Sequence, residues 1–347
     1  MKRTFSLLLT TAAMLAQQPP VTNAKLETAR AGAGLEQAVR AAAAKQGGPA
    51  WIGYAIPRIP GGGSSCCWNN NNFGCVLEGQ RVEGGGTPAG PVKLEGPTHE
   101  NVLFRVEGGV IGKIRSFSMD CPLDAGGLPF HWLTEVSPAQ SVSFLSTYVV
   151  ASNGVREAER MMDGALHAIA VHAGSEASKA LERFATSGAN EHIRKQSLFW
   201  LANSRGAEGY QVVARAARED PSENVREHAI FCLTQSTEAG AIPAIVRAAK
   251  EDASVKVRGK ALFWLAQRAS APAQKAITEA IQNDPDTEVK KKAVFALTQL
   301  PKDEGTPLLI QVARNNTNPV VRKQAMFWLG QSKDPRAFKF FEEVLAR

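Results

Sequence analysis

Residues 252–267 read Asp-Ala-Ser-Val-Lys-Val-Arg-Gly-Lys-Ala-Leu-Phe-Trp-Leu-Ala-Gln, and this pattern returns every 32 residues along the second half of the chain. Each repeat has a phenylalanine, at Phe199, Phe231, Phe263, Phe295 and Phe327, and a leucine two residues later, at Leu201, Leu233, Leu265, Leu297 and Leu329. A fixed period of about 20 to 50 residues is typical of solenoids, whose units bury their apolar faces against one another. The pattern therefore predicts a helical solenoid and favours a binding protein.

The period divides the chain. We expect a mainly α protein whose residues 154–347 form a right-handed α-solenoid of about six helix pairs. Residues 49–153 alternate β-rich runs with glycine-rich turns, and Ser137-Pro138 is typical of a helix start, so a small α+β module is predicted there. Residues 17–48 end in an alanine run and are predicted to be helical.

The first 16 residues have the pattern of an export signal. Lys2 and Arg3 precede an apolar run over residues 5–16, and Gln17-Gln18-Pro19-Pro20 follows it. The run is shorter than the roughly 20 residues that a membrane span needs, and no later segment is long and apolar enough. We expect residues 1–16 to be a signal peptide and the protein to be periplasmic or secreted, without a membrane span.

Four of the five cysteines precede the repeats, at Cys66, Cys67, Cys75 and Cys121. In an oxidising compartment they can form two disulfides. Because neighbouring cysteines pair only with strain, we expect one of Cys66 and Cys67 to bond Cys75 and the other Cys121. A zinc site is the competing interpretation, but it would favour C-x2-C spacing, which this segment lacks.

The repeat unit resembles a known family. Residues 252–267 and 321–331 are similar to the HEAT-like repeats of the type named after the phycobilisome lyases, found in exported or regulatory bacterial proteins. The resemblance covers roughly the last 195 residues and implies an α-solenoid. It also implies that the array serves as a protein-binding scaffold, since only occasional members are enzymes.

Helical phase separates the leucine and phenylalanine positions. On a helix with 3.6 residues per turn, Leu233 falls on the buried stripe with Val225 and Ala229, whereas Phe231 points almost the opposite way. The phenylalanines therefore either wedge between neighbouring inner helices or line the concave face as a partner-binding strip. Lysines share one nearby repeat position, at Lys195, Lys291 and Lys323, so this face would suit an acidic peptide or polyanion.

Three further repeated positions have structural interpretations. Trp200, Trp264 and Trp328 fall near the buried stripe and are expected in the core. Arginine or lysine at the start of each inner helix is expected to brace the aspartates of the preceding turns, at Arg194, Arg226, Arg258, Lys290 and Arg322. Gln235, Gln267, Gln299 and Gln331 are expected to join neighbouring inner helices.

Catalytic and metal-binding patterns are weak. Some HEAT-like enzymes hold a di-iron centre through His-Glu pairs, but here the order is reversed in Glu191-His192 and Glu227-His228. These two histidines are 36 residues apart in a 32-residue period, so they lie on different faces. Residues 120–127 lack the spacing of a calcium loop. We therefore predict no metal, no cofactor and no catalytic residue.

Charge bears on the partner. The formal net charge is +7, and residues 187–347 hold 24 Lys and Arg against 18 Asp and Glu. An excess this mild does not indicate nucleic acid. The sequence predicts an exported, non-enzymatic scaffold that binds a protein or peptide. The alternative is an enzyme or lyase-type accessory protein acting through the N-terminal module, whose scattered titratable residues are His99, His131, Asp120, Asp124 and Glu135.

Overall fold

The computed structural model describes residues 21–32, 34–61, 65–69, 72–78, 96–268 and 270–346. The predicted signal peptide, residues 1–16, lies outside them. The chain forms two compact units: unit 1 comprises residues 1–148 and 154–174, and unit 2 comprises residues 149–153 and 175–347.

Unit 1 is built on a five-stranded sheet. Its strands are β2 (Lys25–Arg30), β3 (Ala50–Pro57), β7 (His99–Glu107), β8 (Val110–Ser118) and β10 (Pro129–Thr134), in the order β2-β10-β3-β7-β8. β10 runs parallel to β2 and β3, whereas β3, β7 and β8 are antiparallel neighbours. Gly108 and Gly109 have positive φ angles in the turn between β7 and β8, as a hairpin glycine pair requires.

In the described residues, unit 1 has three helices, namely α1 (Leu35–Ala44), α2 (Pro138–Ser146) and α3 (Arg156–Val171). The predicted start of α2 is confirmed, since Ser137 and Gln140 form a capping box. Helix α1 packs on β3, and α3 packs on β8. Tyr54 and Phe104, both fully buried, contact each other with tilted rings in the core of the unit.

Short strands lie beside the cysteines, and one of them, β6, contains Cys75. β1 (Val21–Thr22), β9 (Leu123–Asp124) and β6 (Cys75–Val76) form one small sheet, and β4 (Trp68–Asn69) pairs with β5 (Asn72–Phe73). The disulfides are Cys66–Cys121 and Cys67–Cys75, so the predicted pairing is confirmed. Both pack in an apolar cluster with Trp51, Phe130 and Trp132.

Two predicted boundaries differ from the structure. Among the described residues of the segment 17–48, only α1 is helical; residues 25–30 instead add an edge strand alongside β10. Helix α3 keeps the phase of the repeats but belongs to unit 1, not to the array. Its Gly164 explains the change of partner, because an added Cβ would lie 2.5 Å from the carbonyl oxygen of Ile114 on β8. A bare backbone at that point lets the helix lie flush on the sheet.

Unit 2 contains α4 (Ser175–Ser187) followed by five helix pairs. These are α5 (Glu191–Ser204) and α6 (Gly206–Glu219), α7 (Glu223–Gln235) and α8 (Ala241–Glu251), α9 (Val255–Gln267) and α10 (Ala271–Asn283), α11 (Thr287–Leu297) and α12 (Lys302–Asn315), and α13 (Pro319–Gly330) and α14 (Pro335–Leu345). Helices α5, α7, α9, α11 and α13 contact one another in succession and form the inner layer. The even-numbered helices of unit 2, from α4 to α14, form the outer layer.

The leucine ladder is the buried stripe of the inner layer. Leu201, Leu233, Leu265, Leu297 and Leu329 are each at most 1% exposed. Alanine and valine of the same pattern, such as Ala261 and Val257, are fully buried beside them. This face, hidden between the layers, supplies the apolar burial that holds the array together.

Arginine–aspartate pairs link successive turns. Arg226 donates from Nε and Nη2 to both carboxylate oxygens of Asp252, at 2.8 and 2.9 Å, and from Nη1 to the carbonyl of Asp220 at 3.0 Å. Arg194 and Asp220, and Arg258 and Asp284, repeat this arrangement. The carboxylate thus lies 26 residues after the arginine, in the turn that precedes the next inner helix. We expected it in the turn before the arginine's own helix, where only a backbone carbonyl is contacted.

One repeat of the array lacks both the arginine and the aspartate of this bridge. Lys290 stands in place of the arginine and donates to the carbonyl of Gln282 at 2.9 Å, and Asn316 stands in place of the aspartate. The side-chain oxygen of Asn316 still accepts a hydrogen bond from the backbone N–H of Asn318, at 3.0 Å. The carboxylate of Asp252 accepts one from the N–H of Ser254 in the same way, at 2.8 Å. The side-chain oxygen that shapes the turn is therefore separable from the charge that pairs with arginine.

No helix in the described part of the chain combines the length and the apolar character needed to cross a bilayer.

Substitutions of Asp252 separate its hydrogen bond in the turn from its ion pair with Arg226. Asp252→Ala leaves the largely buried Arg226 guanidinium without its carboxylate and removes the turn, so we expect a loss of about 2–4 kcal/mol in the free energy of unfolding, measured by urea titration. Asp252→Asn keeps the turn and should lose less. An Asp252→Ala variant within about 0.5 kcal/mol of wild type would contradict this role.

Candidate partner-binding surface of the helical array

The phenylalanine ladder lies at the margin of the inner layer. Phe199, Phe231, Phe263 and Phe295 are each half-buried, and Phe327 is 54% exposed. The two alternatives for this ladder, wedge and exposed strip, are thus both partly realised: part of each ring packs against the protein and part faces solvent.

The rings form a continuous run across four helices. Phe231 contacts Trp264 at 5.2 Å between centroids, Phe263 stacks on Phe295 at 6.3 Å, and Phe295 contacts Trp328 at 5.1 Å. Each tryptophan also meets the phenylalanine before it in sequence, at 5.1 Å for Trp264 and 5.0 Å for Trp328. Most of these pairs are tilted or edge-on, the arrangements that aromatic quadrupoles favour. The run joins α7, α9, α11 and α13 along one face.

The helical phase predicted that the tryptophans lie in the core, and this prediction is wrong. Trp200, Trp264 and Trp328 are half-buried and sit beside the phenylalanines. The core has no room for them, since Ala261, Leu262 and Leu265 of the same helix are already fully buried there. Within the described residues, the indole N–H groups of Trp264 and Trp328 are buried without a hydrogen-bond partner.

Two adjoining cavities open on the aromatic run. One of about 380 Å³ lies across α5, α7 and α9, and one of about 340 Å³ lies across α7, α9 and α11. We call them together the lysine–aromatic groove. It is lined by Lys195, Asn224, Glu227, His228, Phe231, Lys256, Gly259, Lys260, Phe263, Trp264, Lys292 and Phe295.

The side chains of the three predicted lysines have different surroundings. Lys195 lines the groove. Lys291 is instead turned to Glu288 of its own helix, with an ion pair of 3.0 Å. Lys323 is exposed on α13, beyond the groove-lining residues. One of the three therefore joins the site.

Sequence reasoning missed most of the groove's cations. Lys260 and Lys292 are 32 residues apart and share with His228 the repeat position that follows the predicted lysine position. That second ladder was available in the sequence and would have identified them. Lys256 has no such signal, because Asn224 and Glu288 occupy its position in the neighbouring repeats.

Gly259 gives Lys292 its place. A Cβ at residue 259 would lie 2.1 Å from Cδ of Lys292, so the aliphatic stem of that lysine lies across the bare helix backbone. Lys260 extends over the ring of Phe263, with its nitrogen 5.7 Å from the centroid. The apolar stems thus cover aromatic surface while the charged ends face the groove.

The groove carries net positive charge. Its lining holds Lys195, Lys256, Lys260 and Lys292 against one carboxylate, Glu227. Glu227 lies 3.1 Å from Lys256 and 3.6 Å from Lys260, so it neutralises part of that pair. Burial, and then the charge of Lys195, lower the pKa of His228, which leaves the cationic character to the lysines. The arrangement can hold an anionic group beside an apolar one.

Unit 1 contains a buried ion pair, which is separate from the lysine–aromatic groove. Glu100 is fully buried and lies 3.2 Å from Arg58, and Ser116 hydrogen-bonds His167 at 3.0 Å nearby on the same unit. Burial raises the pKa of Glu100 to about 7, against the opposing effect of Arg58. With no exposed surface, this carboxyl is not reachable by a substrate in this conformation.

The residues named for the alternative, catalytic interpretation have separate neighbours. His131 contacts Gln46 and Glu27, at 2.8 and 3.3 Å, whereas Asp124 accepts from the backbone of Gly126. Glu135 pairs with Arg30, and His99 contacts Thr98. None of these contacts joins one of the five residues to another. Asp120 lies near enough to Glu100 to raise its pKa.

Comparison with known proteins bears on the array. The family described as HEAT repeats matches residues 274–347. The chain carries HEAT-like repeats. This match and the helix pairs of unit 2 confirm the predicted solenoid of HEAT-like type. No curated protein matches the sequence.

Solved structures resemble the chain only distantly. Human deoxyhypusine hydroxylase in complex with glycerol is 14% identical over 59% of this chain and 90% of that chain, with a TM-score of 0.28. Cex1p is 11% identical over 60% of this chain and 44% of its own, with a TM-score of 0.40. The CpcE and CpcF complex of phycocyanin lyase from a Nostoc species is 19% identical over 45% and 99%, with a TM-score of 0.34. None of these likenesses bears on what the HEAT-like array binds.

Glu100 predicts a pH dependence of stability. Between pH 4.5 and 7 the unfolded chain loses this proton before the folded one does, so the stability of the fold falls as pH rises through that window. At about 1.4 kcal/mol per pKa unit the loss is roughly 3 kcal/mol. We expect Glu100→Gln to remove it, as measured by urea titration at pH 5 and pH 8. If wild type and variant show the same pH dependence, Glu100 is not the cause.

Proposed function

We propose that this chain is an exported, non-enzymatic scaffold that binds a protein or peptide partner along the inner layer of its HEAT-like array. The observation that carries the proposal is the lysine–aromatic groove, whose half-exposed rings and four lysines lie on the successive inner helices α5, α7, α9 and α11. Aromatic residues in partly buried pockets are the usual anchors of protein interfaces.

The groove favours a partner with carboxylates next to apolar side chains. Lysine ammonium groups attract carboxylates and raise the rate of encounter with an acidic partner. The aromatic run offers apolar area to side chains between those carboxylates. Because the run extends over α7, α9, α11 and α13, an extended acidic segment fits this surface better than a small ligand does.

The non-enzymatic part of the proposal follows from the same chemistry. Lysines that pair with Glu227 or cover aromatic rings serve attraction, and the one histidine of the groove has a lowered pKa and lies against a backbone carbonyl partner at Lys195. The groove thus resembles an interface more than a proton-transfer site.

Export is supported by two independent features. The apolar run over residues 5–16 has the pattern of a signal peptide, and the two disulfides of unit 1 are compatible with an oxidising compartment.

We expect N-terminal sequencing of the protein from its native cell to begin after Ala16. A first residue of Met1 would contradict export by this signal.

Charge reversal tests the groove directly. Lys260→Glu with Lys292→Glu inverts the groove, and Arg247→Glu with Lys339→Glu makes the same charge change at exposed outer-layer positions. We expect affinity capture from the native envelope to yield the same bound proteins with wild type and with the outer-layer variant. The groove variant should lose them, because its surface would repel the acidic segment.

Equal thermal stability of the two variants is the control for folding. If the groove variant is as stable as the outer-layer variant and captures the same proteins as wild type, the groove is not the binding surface. Capture that fails with wild type would also count against the scaffold function.

A further inference from the structure

The two disulfides of unit 1 lie in contact. The sulfur of Cys75, which bonds Cys67, is 3.7 Å from the sulfur of Cys121, which bonds Cys66. Strands β6 and β9 bring them together, since Cys75 is in register with Leu123, two residues after Cys121. The backbone N–H of Cys75 also donates to the carbonyl of Pro122 at 2.8 Å. The approach is therefore fixed by strand pairing.

The four sulfurs differ in exposure. Cys75 is 2% exposed and Cys121 is fully buried, whereas Cys66 and Cys67 are only partly buried. An external thiolate can therefore reach the Cys67 end of one disulfide more readily than the Cys75 end. The attacked disulfide would release the sulfur of Cys75 inside the unit, against the second disulfide.

The surroundings stabilise the thiolates that such an attack produces. The backbone N–H of Cys67 lies 2.9 Å from the sulfur of Cys75 and can donate to it. The guanidinium of Arg115 lies 3.7 Å from the sulfur of Cys67. Hydrogen-bond donors and nearby cations favour a thiolate as leaving group, and a better leaving group speeds exchange.

We propose that the four cysteines form a thiol–disulfide exchange site that takes a dithiol as substrate and passes the reduction from one disulfide to the other. This site belongs to unit 1 and does not rest on the partner-binding groove. Its consequence is a changed pairing: the buried sulfurs of Cys75 and Cys121 become joined, and the partly exposed Cys66 and Cys67 become free thiols.

Three exchanges accomplish this. First, one thiolate of the dithiol bonds to the sulfur of Cys67, and the Cys67–Cys75 bond breaks to release the Cys75 thiolate. Second, that thiolate bonds to the sulfur of Cys121, and the Cys66–Cys121 bond breaks to release the Cys66 thiolate. Third, the second thiolate of the substrate bonds to its own partner sulfur and releases the Cys67 thiolate.

The electrons and protons balance. The dithiol loses two electrons and two protons and becomes a disulfide. The protein gains them as the thiols of Cys66 and Cys67, and it keeps one disulfide, Cys75–Cys121. No oxidant other than the protein's own disulfide is needed.

Limited reduction tests the pairing. The full-length protein is treated anaerobically with one equivalent of dithiothreitol, quenched with iodoacetamide and mapped by mass spectrometry after proteolysis. We expect the label on Cys66 and Cys67, together with a linked pair of peptides containing Cys75 and Cys121. This readout does not depend on any variant's ability to fold.

Other labelling patterns overturn the proposal. Label on Cys67 and Cys75 with Cys66–Cys121 intact would show simple reduction without transfer. Label on Cys66 and Cys121 would show that the other disulfide reacts first. Equal label on all four, or none on any, would show that no defined exchange occurs. The double variant Cys66→Ser with Cys121→Ser lacks the acceptor disulfide and should give label on Cys67 and Cys75.

Discussion

Each helix pair of the array can bury its apolar stripe only against the pairs before and after it, and the rest of unit 2 depends on this constraint. It requires the same leucine, alanine and valine positions to face inward in every repeat, and Leu201 to Leu329 do so. The arginine–aspartate bridges act on the same step, because each joins one turn to the next across 26 residues. Regular stacking then places the phenylalanines beside one another at the edge of the buried stripe.

The surface chemistry of the array follows from that stacking. Rings at the edge of the stripe cannot enter a core already filled by small and branched residues, so they pack on one another and remain half-exposed. Lys260, three residues before Phe263 on the same helix, lies over its ring. A groove with both apolar and cationic character is thus produced by repetition, without a separate binding loop. Unit 1 differs, because there strand pairing brings two disulfides into contact.

The sequence was informative wherever one periodic rule decides the outcome. It predicted the leucine stripe, the helix cap at Ser137 and the disulfide pairing, each of which depends on local spacing or on a single steric rule. It misplaced α3, because tertiary contact at Gly164 overrides the repeat phase. It also placed the tryptophans too deep, since helical phase gives direction but not the space left by Ala261 and its neighbours.

The groove residues show the same limit. Lys195 and Lys291 share one repeat position, yet only Lys195 lines the groove, because Glu288 draws Lys291 to its own helix. Periodicity identifies equivalent positions, but the local ion pairs of each repeat decide which charges face a partner. Lys256 enters the groove through such local contacts, with Glu227, and no periodic signal marks it.

The central claim is that the aromatic edge of the array binds a partner and is more than internal packing. Phe327 tests it most directly, since it is the most exposed ring of the ladder. We would measure by calorimetry the affinity of Phe327→Ala for the captured partner. We expect at least a tenfold loss of affinity, about 1.4 kcal/mol, with an unchanged unfolding midpoint. An unchanged affinity in a stably folded variant would contradict it.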